Sequence, residues 1–600
     1  MRSLLEQAVS MGQLRHIDLH AGLFLHGLAD RGKRDLLLAT VLASRAVGDG
    51  HICLPLEESA GRRVFGHEIS LTAPELVSWR ENLFASGMVG GPGENIPLVL
   101  DSADRLYLAR YFRCENDIGE DLLRRSRGLM EVDVQGGAEL LNRLFPEQDG
   151  VNWQKQAAAL ALIKQFTLIS GGPGTGKTYT VARILALLQA LAGKPLRVAL
   201  TAPTGKAAVR LHESIQSARE SMEADLVATV PEETLTIHRL LGVLPDSGRF
   251  RHHQDNRLHL DLLIVDEASM IDVPLMAGLV KALPARARLI MLGDREQLTS
   301  VEAGSLFGDI CAHGETGWSP GLCRLLKQLT GYGPVSSTER ETFADVVALL
   351  RESYRFREKS GVGELARAVR SGEREKTIKV LKEQTYGDLH FEQVAKSDFK
   401  TWLSGRLEEG FRDCFSASGP REALAALGRF RMLCAVREGV AGVSGVNRIA
   451  EQTFRRRGLI KEHENLYRGK PLMISSNHYG LQLFNGDTGI LWPDEEGKLR
   501  AWFMRPDGGI RKVALSRLPD HETAYAITVH KAQGSEFTEV VFVLPRSDTR
   551  VLSRELIYTG ITRAREKLTL CGDLELIEKS IGRRVLRYSG LRDKIWKGTD

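Results

Sequence analysis

The chain has 600 residues, of which 43% are hydrophobic and 26% charged, with a formal net charge of +5. These values are ordinary for a soluble globular protein, and at roughly 100–200 residues per domain the length predicts three or four domains. The slight positive excess is compatible with nucleic acid but does not indicate it, since a dedicated electrostatic binder is usually more basic.

Two further features exclude several protein classes. The seven cysteines are scattered and form no Cys-x-x-Cys pair, so a disulfide framework, a zinc finger or an iron–sulfur cluster is not expected. The first residues lack the plan of a signal peptide, and no apolar run approaches the roughly 20 residues that span a bilayer. We expect a soluble cytoplasmic protein that does not associate with membranes.

Short amphipathic helix patterns fill residues 1–140, separated by Gly- and Pro-bearing breaks. We find no catalytic motif in this part of the sequence. The pattern favours a mainly helical N-terminal domain that serves as a scaffold or docks a partner.

From about residue 141 the sequence becomes α/β in character. Four short apolar runs, separated by helix patterns, predict buried parallel strands in a first domain of residues 141–334: FTLIS, LRVALTAP, LDLLIVDEA and ARLIMLGD. A second α/β domain is predicted over 335–455 and 520–600. Between its two parts, residues 456–519 alternate short strands with Asn-Gly and Pro-Asp-Gly turns, which predicts a small β-barrel insertion.

The run GGPGTGKT at 171–178 matches the phosphate-binding loop pattern and stands between a strand and a helix. Its backbone N–H groups would converge on phosphate oxygens, while Lys177 reaches the β- and γ-phosphates and Thr178 binds Mg²⁺. The predicted nucleotide contacts in and beside this loop are Gly171, Gly172, Pro173, Gly174, Thr175, Gly176, Lys177, Thr178 and Tyr179.

Two further strand ends carry polar residues that suit ATP hydrolysis. LLIVDEAS delivers Asp266, a second ligand for Mg²⁺, and Glu267, a general base for the attacking water. LGDREQL places Gln297 where it could sense the γ-phosphate or orient water, although an exposed glutamine is more often simply solvated.

Phosphoryl transfer commonly uses an arginine from another domain to stabilise charge in the transition state. Arg355 in ESYRF and Arg563 in YTGITRAR are the candidates in the second α/β domain. For each of them an ordinary arginine on a helix surface remains the alternative.

Three histidines at 252, 253 and 259 suggest a metal site at first sight. No second cluster completes such a site, so a metal is not the favoured interpretation.

The ordered set of motifs over residues 152–565 resembles the superfamily 1 helicases. The motifs are NWQKQAAA, GGPGTGKT, LTAPTGKAA, TIHRLLG, VDEAS, LGDREQL, ESYRF, AITVHKAQGSEF and YTGITRAR. TAPTGKAA, TIHRLLG and LFNGDTGI resemble the 5′-to-3′ branch. SVEAGSLFGDIC, LCAVREGVAGVSGVN and SRLPDHETAYAITVHKAQGSEF are similar to the family of α subunits of the bacterial exodeoxyribonuclease V complex, RecBCD.

The resemblance implies roles for further residues. Gln154 would recognise adenine, and Arg355 and Arg563 would reach the γ-phosphate across a cleft. Within ITVHKAQGSEF, Gly534 and Glu536 would face the nucleotide. The single-stranded DNA track would include Thr204, Lys206, Thr236, His238, Thr528 and His530.

The resemblance also implies the architecture and the partners. It implies two RecA-like P-loop domains, an SH3-like barrel inserted in the second, and a β-hairpin near 243–260. The N-terminal domain would dock a helicase–nuclease β subunit (RecB) beside a γ scaffold subunit (RecC), with the nuclease centre in the partner. The implied activity is ATP- and Mg²⁺-dependent 5′-to-3′ movement on single-stranded DNA from duplex ends, in recombinational repair.

Three alternatives stay open at this point. The first is a stand-alone 5′-to-3′ helicase. A long N-terminal extension with tandem helix–hairpin–helix motifs would favour it, and we see none. A non-catalytic subunit on a decayed ATPase fold is disfavoured by the intact Lys177, Asp266 and Glu267. A small-molecule P-loop kinase would not need the second α/β domain.

Overall fold

The computed structural model describes residues 1–66, 68–220, 222–227, 233–244, 247–300, 302–315, 317–334, 342–356, 360–505 and 508–597. The sequence-predicted boundary at 334/335 and part of the hairpin predicted near 243–260 lie outside the described residues. Within the described part of that hairpin, isolated antiparallel bridges join Val243 to Phe250 and His253 to Asn256.

Helices make up most of the N-terminal part, and they surround a small four-stranded sheet of order β1-β4-β3-β2. Its helices are α1 Arg2–Ser10, α2 His16–Leu28, α3 Lys33–Gly48, α4 Leu56–Ser59, α5 Leu76–Ala85 and α6 Ala109–Ser126. Its strands are β1 Leu54–Pro55, β2 Val89–Gly90, β3 Leu98–Leu100 and β4 Arg105–Leu108. Trp79 is fully buried in the hydrophobic core of this N-terminal part.

The first motor region is a six-stranded parallel sheet of order β10-β5-β9-β8-β6-β7. Its strands are β5 Phe166–Gly171, β6 Val198–Ala202, β7 Thr234–Thr236, β8 Leu262–Val265, β9 Arg288–Gly293 and β10 Val347–Leu350. Its helices are α7 Val134–Leu144, α8 Trp153–Ile163, α9 Lys177–Ala190, α10 Gly205–Glu220, α11 Ala224–Val227, α12 Ile237–Leu241, α13 Val273–Ala282, α14 Leu306–Ile310 and α15 Pro320–Thr330.

Both faces of this sheet are covered, which explains its uniformly apolar strands. Leu168 and Ile169, neighbours in β5, pack into two different hydrophobic clusters on opposite faces. The four strands predicted from apolar runs are confirmed as β5, β6, β8 and β9. Their carboxyl ends meet at one edge, where ligands bind in open α/β sheets.

The second motor region is a five-stranded parallel sheet of order β11-β20-β19-β12-β18. Its strands are β11 Leu389–Glu392, β12 Phe430–Cys434, β18 Ala526–Thr528, β19 Phe537–Val543 and β20 Ala564–Cys571. Its helices are α16 Gly361–Ser371, α17 Arg374–Glu383, α18 Phe399–Ser416, α19 Pro420–Arg429, α20 Val443–Arg456, α21 Arg554–Ile561 and α22 Leu574–Ile581.

Between β12 and β18 the chain forms an antiparallel sheet of order β16-β15-β14-β13-β17. Its strands are β13 Pro471–Ile474, β14 Thr488–Pro493, β15 Leu499–Met504, β16 Ile510–Ala514 and β17 His521–Thr523. Leu472, Leu491 and Phe503 form its small core, while Trp492 and Trp502 pack against helices of the second motor. Because β16 and β17 are its two edges within the described residues, closure into a barrel stays a prediction.

Two segments predicted for the second α/β domain lie elsewhere, which corrects its boundaries. Strand β10 pairs with β5 of the first sheet, with Val347 opposite Leu168. The last helix, α23 Leu591–Trp596, buries Leu591 and Ile595 in the hydrophobic cluster of the first sheet. Apolar periodicity identifies a strand or helix but does not encode which sheet it joins, so the sequence alone does not assign β10 and α23 to the first sheet.

Residues 583–597, here called the C-terminal strap, run from the second motor to the N-terminal part. Arg587 Nη1 donates to the Gly50 carbonyl at 3.2 Å, and the Tyr588 ring stacks on His51 at 4.8 Å. The buried Glu115 carboxylate accepts from Ser589 Oγ at 2.7 Å and from Gly590 N at 3.0 Å. The strap therefore joins three parts of the chain.

Candidate nucleotide site between the two motor sheets

The phosphate loop has the backbone that its glycines predict. Gly174 and Gly176 adopt φ values of 76° and 78°, in the left-handed region that side chains other than glycine rarely occupy. Helix α9 begins at Lys177, so its free N–H groups point toward the loop. Lys177 Nζ donates to the carbonyl of Gly171 at 2.7 Å and of Gly172 at 3.3 Å, which holds the ammonium across the loop.

Gln154 lies behind the loop rather than in the cavity in front of it. Asn152 caps helix α8 by accepting from Lys155 N at 2.9 Å, which fixes the first turn of that helix. From this turn Gln154 Nε2 donates to the Thr175 carbonyl at 2.9 Å. A Cβ at Gly176 would come within 2.1 Å of Gln154 Nε2, so these two residues require each other.

Asp266 and Glu267 follow strand β8 and face the same cavity. Burial, reinforced by the neighbouring Glu267 charge and opposed by Lys177, raises the pKa of Asp266 to about 6. Asp266 Oδ1 also accepts from Glu267 N at 2.8 Å. Glu267 adopts a left-handed φ of 51°, which turns the chain sharply at the end of the strand.

Gln297 is held by Asp294, a residue that no sequence motif singles out. Its Nε2 donates to Asp294 Oδ2 at 3.0 Å, and Tyr558 OH from the second motor donates to the same oxygen at 3.2 Å. All three residues are buried. The glutamine side chain is therefore oriented, which disfavours a simply solvated residue.

Arg355 reaches the loop from the segment that follows β10. Tyr354 N donates to the Gly174 carbonyl at 2.8 Å, and Ser353 Oγ donates to the Pro173 carbonyl at 3.0 Å. Arg355 Nη2 donates to Glu536 Oε1 at 2.5 Å. Its Nη1 is buried and has no hydrogen-bond partner among the described residues, so this nitrogen can serve an incoming oxygen.

Arg563 enters the cavity from the second motor and is almost fully buried. Its Nε donates to the Thr559 carbonyl at 3.0 Å and its Nη1 to the Ser535 carbonyl at 3.1 Å. Burial would raise the pKa of Glu536, but the charges of Arg355, Arg563 and Arg210 outweigh burial and lower it to about 2. Glu536 is therefore a fixed anion among arginines.

A cavity of ≈ 510 Å³ joins these groups at the carboxyl ends of the two sheets. Predicted residues in its wall are Pro173, Gly174, Gly176, Lys177, Thr178, Tyr179, Asp266, Glu267, Gln297, Arg355, Gly534, Glu536 and Arg563. Four predicted nucleotide contacts, Gln154, Gly171, Gly172 and Thr175, are not in that wall. The cavity thus collects ligands from both motors.

The residues predicted to face DNA fall into separate places. Thr204 caps α10 by accepting from Ala207 N at 3.2 Å, and Lys206 Nζ donates to the Gly486 carbonyl of the insertion at 3.4 Å. Thr236 lines a second cavity of ≈ 340 Å³ between the first motor and the insertion. His238 is exposed and its ring lies edge-on to Phe250.

Thr528 and His530 lie in the segment of the second motor that contacts both the insertion and the nucleotide cavity. Thr528 Oγ1 accepts from Lys531 N at 3.2 Å, and Lys531 Nζ donates to Asn485 of the insertion at 2.5 Å. Half-buried His530 has its pKa lowered by burial and, to a smaller extent, by the Arg587 charge of the strap. The segment therefore contacts the insertion on one side, while its Gly534 and Glu536 line the nucleotide cavity.

Two further arginines at the site have no distinguishing signal in the sequence. Arg210 of α10 lines the nucleotide cavity, and Arg565 Nε donates to Glu536 Oε2 at 3.1 Å. Arg210 follows the quoted LTAPTGKAA run, and Arg565 ends YTGITRAR. Only their proximity to one carboxylate, which needs the folded chain, singles them out.

The donor set in the cavity fits a nucleotide with a hard divalent cation. Carboxylate and hydroxyl oxygens of Asp266 and Thr178 line it together with Lys177, and Mg²⁺ is usually held by one or two protein oxygens plus phosphates. Among the described residues, no group of three or more His, Cys, Asp or Glu could hold a metal by itself.

The parallel sheets, the phosphate loop and the cavity between the two α/β regions define a P-loop ATPase. Three family models match the chain: an AAA domain over 154–303, a UvrD-like helicase C-terminal domain over 523–571, and the N-terminal domain of RecBCD enzyme subunit RecD over 10–107.

Several similar proteins are named RecBCD enzyme subunit RecD. RecBCD enzyme subunit RecD from Mycolicibacterium smegmatis is 37% identical over 99% of both chains, and that from Haemophilus influenzae is 37% identical over 75% of this chain and 73% of its own length. The chain therefore belongs to the RecD family. The ATP-dependent RecD2 DNA helicase of Deinococcus radiodurans is 28% identical, over 82% of this chain and 58% of its own.

A solved structure of Bacteroides Pif1 bound to ssDNA is 15% identical over 71% of this chain and 92% of its own, with a TM-score of 0.38. In the part of the chain that the structure describes, no helix has the length and apolar character needed to cross a bilayer.

Proposed function

We propose that this chain is an ATP-driven 5′-to-3′ single-stranded DNA translocase and helicase. It acts as the motor subunit of a RecBCD-type helicase–nuclease complex that processes duplex DNA ends for recombinational repair. The carrying observation is the cavity in which Lys177 and Asp266 of one motor face Arg563 of the other. Because both motors supply ligands, nucleotide binding favours their closure and hydrolysis favours their release.

Each residue has a distinct part in the chemistry. The loop amides and Lys177 hold the β- and γ-phosphates, and Thr178 and Asp266 would hold Mg²⁺, which neutralises phosphate charge when bound. Glu267 accepts the proton of the attacking water. Gln297 orients that water, and Arg355 and Arg563 stabilise the equatorial oxygens. Gln154 acts from behind the loop, where it fixes Thr175.

Single-stranded DNA crosses the tops of the two motors through sequence-tolerant phosphate and stacking contacts. Thr204, Lys206 and Thr236 serve the first motor, and Thr528 and His530 serve the second. We propose an SH3-like character for the insertion, supported by its five short antiparallel strands. Alternating grip of the two motors on the strand gives directional steps.

The partners follow from the family. RecD relatives are named as subunits of the RecBCD enzyme, so we propose a cytoplasmic complex with a RecB-type helicase–nuclease and a RecC-type scaffold. Residues 1–140 serve as the docking domain. The nuclease centre belongs to the RecB-type partner.

The test uses Lys177→Ala in the full chain and in the reconstituted complex. We expect loss of DNA-stimulated ATPase and of unwinding of a 5′-tailed duplex, with DNA binding and complex assembly retained. Exposed Lys194→Ala, in the same motor, controls for loss of a positive charge. Persistent DNA-stimulated ATPase in the Lys177 variant without the partner motor would exclude this site.

The second candidate is a helicase that works without partners, favoured by the similarity to RecD2 of Deinococcus radiodurans. Affinity purification of the chain from its host separates the two. Recovery of a large helicase–nuclease subunit supports the complex. Recovery of the chain alone, with full unwinding activity, supports the stand-alone helicase.

A further inference from the structure

Helix α10 places an arginine in the nucleotide cavity from the side of the first motor. Arg210 lines this cavity together with Thr178, Glu267 and Glu536. It is half-buried, and among the described residues its guanidinium makes no hydrogen bond or ion pair. Because this guanidinium has no close partner here, it is available to form an ion pair in another state of the protein.

Glu536 is the carboxylate whose charge acts most strongly on this cation, ahead of Glu267. In the present state Arg355 and Arg565 both donate to it, at 2.5 and 3.1 Å. Arg210 contributes only through its charge, which is among those that keep Glu536 ionised. The carboxylate is therefore shared by three elements: the segment after β10, strand β20 and helix α10.

Nucleotide binding would disturb this arrangement. A terminal phosphate between the motors competes with Glu536 for the Arg355 guanidinium, because both are anions in the same cavity. Removing one partner of a buried ion pair is costly, since it leaves the other charge without compensation. The side chain of Glu536 is 18% exposed, and Arg565 donates only to its Oε2, so Oε1 needs a replacement donor as Arg355 turns away.

We propose that Arg210 is a positioning residue: it pairs with Glu536 when Arg355 engages the nucleotide and so draws helix α10 toward the second motor. This inference rests on the proposed function. The start of α10 lies against the insertion, where a Cβ on Gly205 would meet Phe484 at 2.3 Å and Lys206 contacts the Gly486 carbonyl. Movement of the helix therefore reaches the DNA-facing end of the first motor.

The exchange gives the first two turns of α10 two functional contacts. Lys206 and Arg210 are four positions apart, about one helical turn, so they lie along one side of the helix. One contacts the insertion beside the DNA track and the other faces the nucleotide. Because one rigid helical turn joins the two residues, a shift of one is transmitted directly to the other.

The test compares Arg210→Gln and Arg210→Lys in the full chain with its partners. For Arg210→Gln we expect DNA-stimulated kcat to fall at least about tenfold, because misplacement of groups at a closing site is costly. KM for ATP should stay within about twofold, as Arg210 is not expected to bind phosphate. Arg210→Lys should restore at least half of the lost rate. Exposed Arg324→Gln, on α15 of the same motor, should have no effect.

A double-variant comparison isolates the partner. Glu536→Gln removes the anion that Arg210 would take over, so adding Arg210→Gln to it should cause little further loss. Independent, multiplicative losses would overturn the pairing. A raised KM at unchanged kcat would overturn it too, by making Arg210 a nucleotide ligand. If the unaltered complex shows no DNA-stimulated ATPase, the proposed function fails; a normal rate in Arg210→Gln defeats this inference alone.

Discussion

The side chain of Gln533 donates a hydrogen bond of 2.8 Å from Nε2 to the main-chain carbonyl of Leu298. Gln533 precedes Gly534 in the second motor, and Leu298 follows Gln297 in the first. One buried bond thus joins the two sequence motifs that line the cavity from opposite sides. The neighbouring Leu298 N donates to Thr559 Oγ1 at 3.0 Å, which makes the link two-sided.

We expect Gln533→Ala to weaken the coupling of the two motors more than nucleotide binding. Loss of one buried hydrogen bond costs about 1 kcal/mol, equivalent to roughly fivefold in an equilibrium constant. DNA-stimulated ATPase should fall by about that factor, while the Kd of a fluorescent ATP analogue stays unchanged. Gln533→Met, which is similar in length but has no donor, should behave like the alanine variant. An unaltered stimulation in both variants would contradict the bridging role.

Gly174→Ala should separate the phosphate loop from the Arg355 segment. The position has a φ of 76°, and a Cβ there would come within 2.2 Å of Arg355 Cβ. Left-handed backbone at a non-glycine residue costs ~1–3 kcal/mol before the clash is counted. We expect at least about tenfold weaker ATP binding by titration calorimetry. Gly193→Ala, which meets nothing within 4 Å, is the matched control and should bind normally.

Local patterns in the sequence were enough for the phosphate loop and for four strands of the first sheet. Gly174, Lys177 and Asp266 were identified because loop, strand and carboxylate follow one another within short stretches of chain. The adenine role of Gln154 stays a prediction, whereas its contact with Thr175 depends on how α8 packs and is not encoded in a local pattern. Arg210 was missed for the same reason, since its significance arises only from distant residues.

Long-range placement explains the errors in domain boundaries. Val347 belongs to a strand that either sheet could accept, and its pairing with Leu168 is set by the fold as a whole. Likewise, nothing in the pattern of Leu591 and Trp596 indicates that the last helix crosses to the first motor. Periodicity records which residues are buried but not the surface that buries them.

The C-terminal strap should loosen as pH rises. Burial, with a smaller contribution from Glu115, raises the pKa of Asp309 to about 7 despite the Ser589 hydrogen bond and the Arg592 charge. A carboxyl group whose folded pKa is raised stabilises the fold below its unfolded pKa, roughly 4, and loses that contribution as pH rises through the folded value. Protection of the α23 amides from hydrogen exchange, corrected for intrinsic rates, should therefore be lower at pH 8 than at pH 6.

Asp309→Asn provides the control for the strap, because asparagine does not titrate in this range. In that variant most of the difference in protection between pH 6 and pH 8 should disappear; the remainder reports on Glu115, whose pKa is also raised by burial. Equal protection of the α23 amides at the two pH values in the unaltered chain would show that packing of the C-terminal strap does not respond to pH.

The affinity for single-stranded DNA should depend on pH, because Lys206, which contacts the insertion, titrates near neutral pH. Burial, followed by the charges of Arg210 and Arg431, lowers the pKa of Lys206 to about 7, against the opposing Asp487. The ammonium is therefore charged below this pH and increasingly neutral above it. Since a neutral lysine attracts no phosphate, affinity measured by fluorescence anisotropy should fall between pH 6.5 and pH 8.5.

Two variants isolate this effect from other titrating groups. Lys206→Met removes the charge and should abolish its share of the pH dependence, while its affinity resembles that of the unaltered protein at high pH. Gly205→Ala should push away Phe484, whose Cγ lies 2.3 Å from the new Cβ. The lysine would then return toward its ordinary pKa, and the affinity at pH 8.5 should rise and gain a salt slope of about one phosphate contact. If Gly205→Ala leaves the pH profile as it was, the insertion does not control the charge of Lys206.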